Sequence, residues 1–188
     1  MKNRHDFMIA LGSNLPSHAG DPVETLRAAL VALADSGASI EMVSDFYHTP
    51  CFPAGAGPDY VNAAARVAYS GDPEEFLAML HRVEQQFGRE RQERWGQRTL
   101  DLDLIAAGSL VLPDLETYIR WRDLPPDQQM AKTPDRLIMP HPRLHDRGFV
   151  LVPLHDIAPD WRHPVLNLTV SQMLEALRDA DKEQVIRI

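Results

Sequence analysis

The stretch Leu100-Asp-Leu-Asp-Leu104 alternates apolar and acidic residues with a period of two. On a strand, successive side chains leave opposite faces, so Leu100, Leu102 and Leu104 point one way. Asp101 and Asp103 point the other, roughly 7 Å apart along the backbone. Two carboxylates therefore converge on one surface. Side by side without a cation they repel, and each resists ionising beside the other.

The rest of the chain supplies the partners of this strand. Phe7-Met-Ile-Ala-Leu11 reads as a buried strand that runs into a turn at Gly12-Ser13-Asn14. Pro22 suits a first helical position, and Val23, Leu26, Leu30 and Leu33 follow at helical spacing. Ile40 to Tyr47 and Tyr60 to Tyr69 are β-rich runs. The Pro- and Gly-rich gap from Thr49 to Asp59 between them reads as a structured functional loop. Asp72-Pro-Glu-Glu75 is a capping signature for a helix burying Phe76, Leu77, Leu80, Val83 and Phe87, with Gly88 as its stop.

The expected order is thus an α+β fold with a ferredoxin-like βαββαβ core. Beyond Gly108, prolines punctuate the chain. Tyr118-Ile-Arg-Trp121 reads as a short strand or a turn of helix inside an insertion-like segment, about 112–136. Phe149-Val-Leu-Val152 reads as a strand, and Thr169-Val-Ser-Gln172 caps a last helix. The expectation is a single domain over 1–188, with an additional C-terminal strand and helix after the core.

A chain of 188 residues buries roughly 70% of the surface its unfolded form exposes, enough to fold without disulfide or metal. Hydrophobic residues make up 44% and charged residues 24%, which excludes collagen-like, coiled-coil and wholly disordered chains. No apolar run approaches a membrane span, and Cys51 is the one cysteine, so a cytoplasmic address is expected. Nothing calls for an obligate protein partner. With 19 basic against 27 acidic residues, net −8, a general nucleic-acid binder is disfavoured. Yet Arg82, Arg89, Arg91, Arg94 and Arg98 crowd into seventeen residues. Such a cluster of fork-shaped donors suggests a small polyanionic ligand.

Mg²⁺ is held through one or two carboxylates plus substrate phosphates, and two such ions can clamp a phosphoryl transfer. The aspartate pair beside the arginines fits that use, against the alternative of an ordinary solvated strand face. Phosphate-binding glycine loops and a protein-kinase catalytic loop are missing from the sequence. His141 and His145 have the spacing of a zinc pair, but Pro142 disfavours a helix there and no third ligand is evident.

The chain resembles the 6-hydroxymethyl-7,8-dihydropterin pyrophosphokinase family of folate biosynthesis. The resemblance rests on Ala10-Leu-Gly-Ser-Asn14, Tyr47-His-Thr-Pro50, Pro58-Asp-Tyr-Val-Asn-Ala63, Arg94-Trp-Gly with Arg98-Thr-Leu-Asp-Leu-Asp103, and Pro140-His-Pro-Arg-Leu-His-Asp-Arg-Gly-Phe149. It implies transfer of diphosphate from ATP to a reduced pterin alcohol, with release of AMP. It also implies that Asp101 and Asp103 hold two Mg²⁺ ions, with Arg89 and Arg98 steadying the transferring group. Glu84, Arg91, Arg94, Trp95, His141 and Arg147 would meet the nucleotide. Tyr60 and Phe149 would sandwich the pterin, Asn62 would bond its polar edge, and the loop at Thr49 and Pro50 would close over it. On the residues alone, core packing of Tyr60 and Phe149 stands as the alternative. Two other functions remain to be weighed: a two-metal phosphodiesterase or nuclease using the same aspartates, and a non-catalytic ligand-binding module.

Overall fold

The computed structural model describes residues 4–51, 57–88, 99–125, 128 and 132–188. Strand β1 (His5–Ser13) leads to α1 (Pro22–Asp35), then β2 (Ser39–Val43), β3 (Tyr47–Thr49) and β4 (Tyr60–Tyr69). Helix α2 (Pro73–Gln86) and β5 (Asp101–Ala107) complete the core; α3 (Leu115–Arg122), a 3₁₀ turn (Leu144–Asp146), α4 (Gly148–Ile157), α5 (Val170–Ala176), α6 (Asp179–Glu183) and β6 (Ile186–Arg187) follow.

Both core helices start as their sequences predict. Asp21 accepts from the Glu24 N–H at 2.9 Å while Glu24 accepts from the Asp21 N–H at 2.9 Å. Asp72 and Glu75 repeat the exchange at α2, at 2.7 and 3.2 Å. Each box satisfies donors that the first helical turn leaves open. Gly88 ends α2 with φ +83°, a conformation that costs glycine little.

The sheet runs β5-β1-β4-β3-β6, and every pairing is antiparallel. The single β-rich run expected from Ile40 to Tyr47 is two strands. β2 pairs with the Ala65 to Ala68 end of β4, whereas β3 pairs with Tyr60 to Asn62. Ser44 marks the break: its backbone N–H bonds the Ala64 carbonyl, and its Oγ accepts the Ala64 N–H at 2.8 Å. Counting β2 and β3 as one interrupted strand gives the ferredoxin-like order.

One face of the sheet is covered by α1 and α2, where Phe7 and Phe76 stack 4.3 Å apart within a core that includes Leu11, Leu102 and Leu104. Burying a side chain such as Phe76 contributes about 1.5–3 kcal/mol. On the other face Met8, Ala64, Ile105 and Ala106 pack with α4 and α5.

The strand expected at Phe149 to Val152 is instead part of α4. A four-residue apolar run does not distinguish strand from buried helix. Val150 and Leu151 within it, and Leu154 and Ile157 beyond it, are all buried and share a helical face. The extra C-terminal strand lies further on, at β6, beside β3. Thr169 and Gln172 cap α5 as expected, but the last helix is the short α6 that follows it. Inside the insertion-like segment, Tyr118 to Trp121 belong to α3, started by Asp114 accepting the Thr117 N–H at 2.8 Å.

The tail is fastened at both ends. A Cβ on Gly148 would collide with the backbone oxygen of Asp181, so α4 begins hard against α6. Beyond it β6 pairs with Tyr47 and His48, the Ile188 N–H bonds the Phe46 carbonyl, and Arg187 meets Asp45 at 2.8 Å. Among the described residues, no helix is long and apolar enough to cross a membrane.

Candidate active site

The register of the sheet builds the site. Gly12 on β1 lies opposite Asp101 on β5 and opposite Asn62 on β4, while Ala10 lies opposite Asp103 and Ala64. Paired residues of antiparallel strands share a face. Asp101 and Asp103 therefore stand on one side, half-exposed, with Leu102 and Leu104 buried behind them. Tyr60 and Thr49, paired with each other, share the aspartates' face.

Gly12 lets these groups approach. A Cβ there would sit 3.2 Å from Asn62 Oδ1, 3.9 Å from Tyr60 Cδ1 and 4.0 Å from Asp101 Cβ. Three side chains from two neighbouring strands thus crowd above one bare position. Asn62 is held in turn, since its Nδ2 donates to Thr49 Oγ1 at 2.7 Å and both residues are buried. A buried amide with a bonded partner keeps one orientation.

The turn after β1 ties down the ends of two loops. Ser13 Oγ donates to the Thr99 carbonyl at 2.7 Å, just before β5, and Asn14 Nδ2 donates to the Pro58 carbonyl at 3.1 Å, just before β4. These anchoring roles were not read from the sequence, although a Gly-Ser-Asn run at a strand end offers the short polar side chains they require.

β5 is an end strand, and its outer edge is satisfied by side and main chain. Glu84 of α2, only 1% exposed, accepts the Leu102 N–H at 2.8 Å through Oε1. The His141 N–H donates at 2.7 Å to the carbonyl of Ile105, the residue passed over where the β1–β5 register shifts. Two of its outward groups are thereby met, which makes the edge a poorer template for another strand. Glu84, read from the resemblance as a lining residue, here reaches the backbone between the two aspartates.

His141 Nδ1 accepts the Arg143 N–H at 3.1 Å, which leaves the ring proton on Nε2. Burial pushes the imidazole down to about 3, and the cation of Arg147 adds to the effect. At neutral pH His141 is an uncharged donor. Burial also lowers Arg147; Asp103 is the strongest opposing charge, and Asp101 opposes as well. The aspartates and Arg147 thus feel one another across the face. Arg147 immediately precedes α4, and its guanidinium carbon lies 5.6 Å from the ring centre of Phe149.

Phe149 is 40% exposed and Tyr60 half-buried, so neither is a plain core residue. Pro50 is exposed beside buried Thr49. Arg89, Arg91, Arg94, Trp95 and Arg98 lie outside the described residues. No group of three side chains suited to a metal gathers among the described residues.

A family model described as 7,8-dihydro-6-hydroxymethylpterin-pyrophosphokinase matches residues 8–159. The chain belongs to this family. Among similar pyrophosphokinases, the 2-amino-4-hydroxy-6-hydroxymethyldihydropteridine pyrophosphokinase of Synechocystis sp. is 37% identical over 172 residues, 91% of this chain and 75% of that protein. The enzyme of the same name from Haemophilus influenzae is 38% identical over 153 residues, 81% of each chain. In fold the chain matches wild-type Plasmodium falciparum HPPK-DHPS with a TM-score of 0.64 at 14% identity. That match covers 93% of this chain and 45% of the other. Family membership makes the chain an ATP-dependent diphosphotransferase of folate biosynthesis. The phosphodiesterase alternative finds no support in these relatives.

Proposed function

We propose that the chain, as a single domain over 1–188, moves the terminal diphosphate of ATP to the hydroxymethyl oxygen of 6-hydroxymethyl-7,8-dihydropterin and releases AMP. The observation that carries this reading is the crowding of Tyr60, Asn62 and Asp101 over Gly12. A row suited to a flat polar heterocycle runs directly into a carboxylate pair. Asn62, oriented by Thr49, would bond the polar edge of the ring, with Tyr60 and Phe149 on its faces.

Two hard carboxylate oxygens on one face of a strand suit Mg²⁺. Asp101 and Asp103 would hold two such ions, which when bound neutralise phosphate charge. Arg147 and the Arg89, Arg91, Arg94 and Arg98 cluster would grip the phosphates. His141 would offer its Nε2–H, and Trp95 would pack near the nucleotide. In-line attack of the alcohol oxygen on the β-phosphorus forms the new P–O bond as the bond to AMP breaks, the hydroxyl proton passing to solvent. Positioning and charge neutralisation supply most of the acceleration in transfers of this kind. With one cysteine and small-molecule substrates, the proposed setting is the cytoplasm, with no nucleic acid, membrane or obligate protein partner.

Incubating the purified chain with ATP, Mg²⁺ and the pterin alcohol should release one AMP per pterin diphosphate. Pterin-independent AMP, or none, would overturn the reading. Gly12→Ala should raise the KM for the pterin about tenfold and leave that for ATP within about twofold, because the new methyl displaces the Asn62 amide. Equal effects on both constants would contradict the placement of the pterin.

A further inference from the structure

Four residues beyond Asn62 on β4, about 13 Å along the strand, Arg66 enters a second concavity. This cavity, about 390 Å³, opens between β1, β4 and the turn after α4. Met8, Ile157 and Trp161 form apolar walls, and the exposed Asp6 and Asp160 stand at its mouth. Trp161 is fixed in place, since its Nε1 donates to the Gly108 carbonyl at 2.9 Å and its ring meets His163 edge-on at 5.7 Å.

Arg66 stands out within this wall. Its Nε is buried with no hydrogen-bond partner, and no ion pair joins Arg66 to a carboxylate among the described residues. Arg66 as a whole is half-buried, but a donor shut from solvent and left unmet is costly, and such groups usually have a partner. The cavity in front of it has the volume of a small-molecule site.

The arrangement of charge narrows the ligand. A guanidinium fork in the cavity wall suits a carboxylate. Two carboxylates at the mouth repel phosphate esters and attract an ammonium group. Apolar walls between them suit a hydrocarbon or aromatic body. We propose that this cavity binds a free α-amino acid with an apolar side chain, its carboxylate on Arg66 and its ammonium toward Asp6 and Asp160. The site is separate from the aspartate pair and does not depend on where the pterin sits.

The test is calorimetric titration of the full chain with L-phenylalanine. Saturable one-to-one binding with a Kd of about 1 mM or tighter is expected. 3-Phenylpropionate, phenethylamine and inorganic phosphate should each bind at least about tenfold more weakly. Arg66→Met should weaken L-phenylalanine by at least about tenfold while AMP release stays at the unsubstituted level. No saturable heat up to about 10 mM, tighter binding of phosphate, or unchanged affinity in Arg66→Met would overturn the proposal. Should Arg66→Met fail to fold, the exposed positions decide. Asp6→Asn with Asp160→Asn should abolish the preference for L-phenylalanine over 3-phenylpropionate, and a preserved preference would refute the assignment.

Discussion

Replacing Asp101 or Asp103 with alanine is expected to lower turnover by about a thousandfold or more while the folded state persists. Both side chains are half-exposed and stand on the side of β5 away from the Leu102 and Leu104 core. Removing either carboxylate therefore opens no cavity in that core, and the stability change should stay within about 1 kcal/mol. The chemistry is less forgiving. Phosphate oxygens and a carboxylate pair on one face need cations between them, and half of that ligand set would be lost. Turnover within about tenfold of the unsubstituted chain, in either variant, would rule out the shared role of the pair.

The second large effect concerns acid stability and lies away from the aspartates. His163 is wholly buried, its Nε2 is 2.9 Å from the Tyr118 hydroxyl, and its Nδ1 accepts the N–H groups of Val165 and Leu166. With Nδ1 so occupied, the neutral ring carries its proton on Nε2. Burial pushes His163 down to about 4, and the neighbouring His145 and Arg122 push the same way. An unfolded histidine titrates near 6.5. Between these values the unfolded chain binds the extra proton, so stability rises with pH. The contribution is complete above about 6.5 and is lost as pH falls toward 4.

For His163 alone this amounts to about 2–3 kcal/mol by pH 4.5, and His141, pushed to about 3, adds in the same direction. Urea unfolding of the unsubstituted chain and of His163→Gln at about pH 7.5 and 4.5 measures it. The variant, though less stable at the higher pH, should lose about 2–3 kcal/mol less on acidification. An equal loss in both would mean that His163 does not carry the effect.

Where a pattern is local, the sequence and the structure agree. The helix start at Pro22, the capping box at Asp72 and the Leu/Asp alternation at β5 each fall within a few residues, and each has a stereochemical meaning independent of the rest of the chain. The first turn of α4 is purely apolar, so its local sequence fits a strand as well as a helix. Only its packing against Ala64, Ile105 and Ala106 makes the helical face visible. Asp114 caps α3 much as Asp72 caps α2, but it follows Pro113 in a proline-punctuated segment, and its helix is secured by Tyr118 meeting His163 forty-five residues away. The contact of Glu84 with Leu102 and the bare position at Gly12 are likewise products of tertiary approach. No local spacing encodes them.

The tail has a bearing on how such an enzyme diverges. Residues 179–188 lie outside the matched span 8–159, yet they abut the start of α4, which carries Phe149, and hydrogen-bond to β3, which carries Thr49. Drift in this stretch would therefore shift both walls of the proposed pterin cleft while every signature residue stayed the same, giving lineages a way to adjust substrate fit without touching the reacting centre.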